Sequence, residues 1–419
     1  MFLSGAASML SGMRRGVAGD SAKLTYDSLK KTYKEFASPQ AAVFFGGSAF
    51  VNKGDFVIDD IHIELTSGFE ASVAVFRIYH VYDQTASAFR YGELKAQVCM
   101  GNTLDIALGY LGVGQTVFHG FIAGLDFHYD QTSVPYIEVT GMDIKGIMMA
   151  NCYAQQVVAA SYGAAVQQIL ARTVYASLMQ GMRLQLTPTP DAPGMEGGLP
   201  GAARGGAGAA ASAGTIEMVS ESDYEFVVKA AKRFNYEFFS DKYTIYFRPA
   251  KSDTAPQAAL SVGGGILDFH IGYSVTGLVG AVETRAVDAG TGKLIKSEKK
   301  LAQDAAIDSK ARALVNAAQK VYIDPSITSQ QDADARASSL YEQMRYRLGS
   351  FEATCVGIPD LSPGRFLMVS GLGAPADNSF YITSVTHRLS SELGFRTELT
   401  GKAATLGGTA AARPGIGGL

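Results

Sequence analysis

The sequence predicts an α+β fold rich in strands, in which two β units frame smaller units of mixed helix and strand. Three observations predict it. Apolar and polar residues alternate in short runs over residues 42–143, strand-like runs return over residues 349–400, and the interval between them has helical stretches broken by a Pro-, Gly- and Ala-rich segment. At 419 residues the chain exceeds the size at which one core stops growing, so two or three packed units are expected.

The start, residues 1–19, is mildly apolar, but Arg14 and Arg15 follow the apolar stretch instead of preceding it, so it reads as an arm rather than a signal peptide. Leu29, Tyr33 and Phe36 recur at helical spacing among Lys30, Lys31 and Lys34, which predicts a short basic amphipathic helix ended by Pro39. Strands follow at 43–51, 56–65 and 71–79; in the second, Ile61, Ile63 and Leu65 alternate with His62 and Glu64. After a break at 82–92, strands are expected at 94–100, 117–127 and 136–140.

Residues 154–179, rich in Ala, Gln and Leu, read as a helix interrupted at Gly163. Residues 187–214 are Pro, Gly and Ala with almost no large side chain, too little apolar surface to offset the entropy of ordering. Ser222 and Glu225 have the spacing of a capping box, opening a helix with Phe226, Val227, Ala230, Ala231 and Phe234 on one side, before a hairpin over 236–247. A β-rich run at 266–287 ends in a turn at 288–293. Helices are expected at 302–319 and 331–348, the second with Thr328 as its cap, and strands at 349–356, 365–369, 380–390 and 395–400. The expected organisation is therefore an N-terminal arm and helix (1–41), a first β unit (42–150), a helical α+β insertion (151–260), a second β unit with helices at 302–348 (261–402) and a Gly/Ala-rich tail (403–419).

The composition is 47% hydrophobic and 18% charged, fewer charges than the ~25% usual for soluble domains, which implies that something besides solvent covers part of the surface. A net charge of -3 argues against a nucleic-acid partner. Cys99, Cys152 and Cys355 are odd in number and widely spaced, fitting neither a disulfide framework nor a metal knuckle; a reducing cytoplasm is the simplest setting for folding. No run of 18 or more apolar residues suggests a membrane-spanning helix.

The C-terminal strands carry a family pattern. Gly357-Ile358-Pro359-Asp360-Leu361-Ser362-Pro363-Gly364 followed by Phe366-Leu367-Met368-Val369 resembles the phage late control protein D family, as do the run from Phe380 to Leu389 and Gly394-Phe395-Arg396-Thr397-Glu398-Leu399. Upstream, Ser222 to Val227 leading into Tyr236-Glu237-Phe238-Phe239 is similar to that family's helix and strand pair. Phe118-His119-Gly120-Phe121-Ile122 and Val139-Thr140-Gly141-Met142-Asp143 are similar to its first barrel. The family includes phage baseplate hubs and the hub portion of VgrG-type spike proteins. The resemblance implies two tail-tube-like β-barrel domains with smaller α/β domains inserted or packed outside. It also implies a homotrimer placed between the tail tube protein ring and a central spike protein, among other baseplate components, assembled in the cytoplasm and then carried in the particle. A six-fold tube and a three-fold spike cannot share one set of contacts, so an adaptor must present six similar surfaces from three chains.

No catalytic, cofactor-binding or metal site is expected. His62, His80, His119, His128, His270 and His387 never fall at HxxxH or HxH spacing. Asp59 and Asp60 are adjacent, and neighbours on a regular strand point to opposite faces, so they read as a strand-edge or turn pair rather than a glycosidase dyad. Asp332 and Asp334 suit a helix N-terminus. Gly263-Gly264-Gly265 lacks a following P-loop lysine and reads as a turn, as does Gly371-Leu372-Gly373. Lys296, Glu298, Lys299 and Lys300 read as a solvated face. Two rival readings stand beside the structural one: a hub-associated cell-wall hydrolase, although residues 154–179 contain no Asp, Glu or His for acid–base work, and a cargo carrier tethered through 187–214.

Overall fold

The computed structural model describes residues 24–50, 55–189, 215–288, 291–300, 307–325, 327 and 329–407. The expected arm at 1–19, the low-complexity run beyond Thr189, the tail beyond residue 407 and the cap at Thr328 lie outside them.

Helix α1 (Tyr26–Thr32) opens with a capping box between Thr25 and Ser28 and buries Leu29. It stops before Pro39, because Lys34, Glu35 and Phe36 take left-handed φ values, and Pro39 instead begins a strand. Six strands then build an antiparallel sheet: β1 (Pro39–Phe45), β2 (Val57–Thr66), β3 (Val73–Tyr79), β4 (Thr103–Tyr110), β5 (Val113–His128) and β6 (Tyr136–Met142), in the order β2-β3-β6-β5-β4-β1. A bulge between Asp59 and His62, with Asp60 at φ 53°, resets the alternation of β2. Ile58 and Ile61 therefore both face the core although three residues apart.

The strand expected at 94–100 is absent. Leu94 and Val98, both buried, sit one helical turn apart on the short helix Tyr91–Leu94 and the turns after it. The strand is β4, whose faces are both covered, so its sequence shows no alternation to read.

The insertion has its own core, from Ile144 to Phe247. Residues expected to begin a helix at 154 form the strand Tyr153–Val158, paired with Thr215–Glu221; α2 (Tyr162–Leu170) starts at the Ser161 cap, with Gly163 in its first turn instead of interrupting it. The capping box of Ser222 and Glu225 opens α3 (Asp223–Phe234). The hairpin β7 (Tyr236–Asp241) and β8 (Thr244–Pro249) follows, with Arg183–Leu186 added parallel to β8.

Next come β9 (Pro256–Val262) and β10 (Gly265–Tyr273). The β run expected to continue to 287 breaks here, and just before the next strand Gly280 lies so close to the backbone of Asn316 that a Cβ would come within 2.5 Å. Beyond it a separate small sheet, β11 (Ala281–Val287), β12 (Leu294–Lys300) and β13 (Gln319–Ile323), carries α4 (Gln330–Arg345) on one face. Ser329 caps α4, its side chain accepting from the Asp332 amide. Of the helix expected at 302–319, the described part is Ser309–Asn316, and Gln319 already belongs to β13.

The last strands are β14 (Gly349–Val356), β15 (Phe366–Ser370), β16 (Asn378–Ser390) and β17 (Gly394–Ala403). They close a six-stranded ring with β9 and β10, in the order β9-β10-β14-β17-β16-β15 and back to β9. β16 belongs to two assemblies. Residues 378–381 pair with β15 in the ring, whereas Ser384–Leu389 pair with β2, so the ring and the first sheet are one continuous sheet over one shared core.

Candidate functional site

The hairpin β7–β8 is where the units meet. Glu237 and Arg248 stand opposite each other in its register and are both buried, with Arg248 Nε 2.7 Å from Glu237 Oε1. Arg248 Nη2 also donates to the Gly364 carbonyl at 2.7 Å, and the Tyr381 hydroxyl on β16 donates to Glu237, so the pair fastens the hairpin to the ring. Burial pushes the Glu237 carboxyl up, opposed by Arg248, and the same burial with the Glu237 charge raises Tyr381.

At the tip, Lys242 adopts a left-handed φ of 53° in a two-residue turn, aiming the flanking side chains at the first sheet. Ser240 Oγ donates to Asp143 Oδ2 at 2.9 Å and Lys242 Nζ to Gln115 Oε1 at 3.1 Å; the Tyr243 hydroxyl donates to Asp105 Oδ1 at 2.9 Å. Gln115 passes the chain to the Tyr33 hydroxyl, which donates to Asp360 at 2.6 Å. Asp143 caps the helix Ile144–Met148 and lies 3.8 Å from the fully buried Lys145, whose pKa is lowered by burial against the pull of Asp143 and Glu70. One hairpin thus ties the insertion to both β units by hydrogen-bonded, mostly buried polar groups, an arrangement that fixes relative orientation rather than exposing reactive atoms.

The glycines of the first-sheet motifs have steric reasons. A Cβ on Gly120 would lie 2.1 Å from the Met142 carbonyl oxygen, and one on Gly141 would lie 2.5 Å from Leu104 Cδ2. At Gly120 the two strands approach too closely for any side chain, whereas at Gly141 the space is filled by the Leu104 side chain.

The histidines are dispersed. His119 is buried, with Nδ1 2.6 Å from Asp105 and Nε2 2.9 Å from the Leu178 carbonyl. His387 is fully buried beside Thr397, at 3.0 Å, and burial together with the Lys242 charge holds its pKa down to about 3. His62 is half-buried on β2, His80 contacts the Asp55 carbonyl, His128 stacks on Tyr136 and His270 is exposed on β10. Among the described residues no three His, Cys, Asp or Glu gather as metal ligands would.

Asp59 accepts from the Ser391 amide at 2.9 Å, whereas Asp60 accepts from the Tyr79 hydroxyl at 2.7 Å and from Arg77. The neighbouring carboxylates therefore hold different partners. The Gly263–Gly265 segment is the turn joining β9 to β10, and Lys296 and Lys300 pair with Glu283 and Glu298. Asp332 and Asp334 lie in the first turns of α4, where Asp334 accepts from Ser297 at 2.6 Å. The keystone polar groups escaped the sequence reading. Their signal is a charged residue inside an otherwise apolar run, as with Asp105 between Leu104 and Ile106.

Comparison with known proteins bears on the fold. A 43 kDa tail protein of prophage MuSo2 from Shewanella oneidensis shares 15% identity, with a TM-score of 0.60 over 88% of this chain and 99% of its own. A tail protein from Neisseria meningitidis shares 14% identity, with a TM-score of 0.60 over 87% of this chain and 97% of its own. The β-rich architecture with a closed six-stranded barrel and extra sheets is that of these phage tail proteins. A family model described as the Alg8 N-terminal domain matches residues 210–391, which begin inside the insertion and stop before β17, cutting the ring. No curated protein matches the sequence. Among the described residues, no helix is long and apolar enough to cross a membrane.

Proposed function

We propose that this chain is a structural baseplate hub of a phage tail or phage-tail-like contractile injection system, and not an enzyme. Three copies form a ring that adapts a six-fold tail tube to a three-fold central spike. The observation that carries the reading is the sharing of β16: one chain holds two β units as one continuous sheet, so each copy offers two tube-like surfaces in a set orientation and three copies offer six. The likeness to prophage tail proteins over nearly the whole chain supports a part built for a tail. The buried hairpin contacts support a body rigid enough to transmit load between tube and spike without chemistry of its own. Such a part assembles in the cytoplasm and leaves within the particle.

The test is the solution mass by light scattering, of the chain alone and mixed with its tube and spike proteins. A species of three times the 44.3 kDa chain mass is expected in at least one sample. A monomer in all of them overturns the reading, and lytic activity of the purified chain on cell-wall material would put the hydrolase in its place.

A further inference from the structure

We infer that the far end of the first sheet is a docking surface for a protein partner that presents arginine and lysine side chains. The inference needs one face of one chain and stands apart from the trimer reading.

The register places it. The core row Ile58, Ile78, Ile137 runs across β2, β3 and β6, each residue at most 4% exposed, and its next member on β5 is Phe127, which is 46% exposed. The apolar row thus runs out of the core into solvent. Around Phe127 the rings of Phe89 and Tyr91 pack edge-on at 5.2 and 5.4 Å, Phe89 packs on Tyr82, and Tyr82 lies 4.9 Å from Tyr129. Tyr129 and Val134 are each 59% exposed. Preordered aromatic rings that lose little entropy on contact are the residues that dominate protein interfaces.

The charge around these rings chooses the partner. Asp83 lies in the strand pair with Tyr82 and Phe89, Asp126 precedes Phe127, and Asp130 follows Tyr129; all three are exposed and, among the described residues, have no ion pair. Two arginines at this end are engaged elsewhere: Arg90 holds Asp55 and Glu93, and Arg77 holds Glu138 and Asp60. An acidic rim round exposed aromatic rings attracts arginine and lysine and repels an acidic surface.

The experiment uses the full chain and two short fluorescent peptides, one alternating Arg with Leu and one alternating Glu with Leu, followed by anisotropy at about 0.05 M and about 0.5 M salt. The basic peptide is expected to bind at low salt, and the acidic one not. Phe127→Ala with Tyr129→Ala should weaken binding about tenfold or more, and Asp126→Asn with Asp130→Asn should weaken it and flatten its salt dependence. These side chains are exposed, and an unchanged circular dichroism spectrum will show that the variants fold. Equal binding of both peptides, no binding, or binding indifferent to the substitutions overturns the proposal. So does an oligomer that the Phe127 and Tyr129 substitutions dissociate, because the surface would then belong to a second copy.

Discussion

His119 Nδ1 lies 2.6 Å from Asp105 Oδ1 while its Nε2 lies 2.9 Å from the Leu178 carbonyl oxygen. Both partners are acceptors, so the site favours a ring with a proton on each nitrogen. It bridges β5 to the insertion. Burial opposes that charge, but the Asp105 carboxylate and the Leu178 carbonyl outweigh it and raise the pKa above its ordinary value.

The sign of the pH dependence follows from that raised pKa. A histidine protonated more readily in the folded chain than in the unfolded one stabilises fully below about pH 6.5 and loses that stabilisation as pH climbs through the folded value. The thermal midpoint of the native chain minus that of His119→Gln should therefore shrink above about pH 6.5, and the substitution should cost about 1–3 kcal/mol below it. A difference independent of pH would show that the ring is neutral.

His387 titrates in the opposite sense. With its folded pKa held to about 3, it is neutral in the fold, whereas the unfolded chain takes up its proton below about pH 6.5. Stability should fall on acidification between those values, by up to about 1.4 kcal/mol per pH unit. His387→Leu should flatten that slope in urea titrations run from neutral to about pH 4.

Arg248→Met leaves Glu237 buried without its cation and should cost about 3–5 kcal/mol. Adding Glu237→Gln should recover part of that loss, because the uncompensated charge goes with it. A double-mutant cycle by urea unfolding checks this, and strict additivity would mean that the two do not act as a pair.

Gly120→Ala should destabilise by more than about 2 kcal/mol or prevent folding, since the clash is with backbone and cannot relax by a side-chain turn. Gly101→Ala, where no atom lies within 4 Å of the added carbon, is the control for glycine removal at left-handed φ and should cost about 1 kcal/mol. Comparing their thermal midpoints separates the close approach of strands from simple backbone preference.

The amino-acid order alone determined what depends on neighbours in the chain. The alternation of Ile61, Ile63 and Leu65, the Ser222–Glu225 capping box and the hairpin over 236–247 were legible because a strand's period, a cap and a tight turn are set within a few residues. The C-terminal motifs pointed to the β-rich fold shared with tail proteins. What only the tertiary structure decided is how distant segments pair. β4 was missed because burial of both faces erases alternation, and Asp60 hides the bulge that shifts β2 in phase. That β16 would serve two sheets, and that Glu237, Arg248 and Tyr381 would meet in one buried cluster, depend on contacts between residues more than a hundred positions apart. No local pattern encodes such a meeting, because its energy arises only when the partners lose their water together.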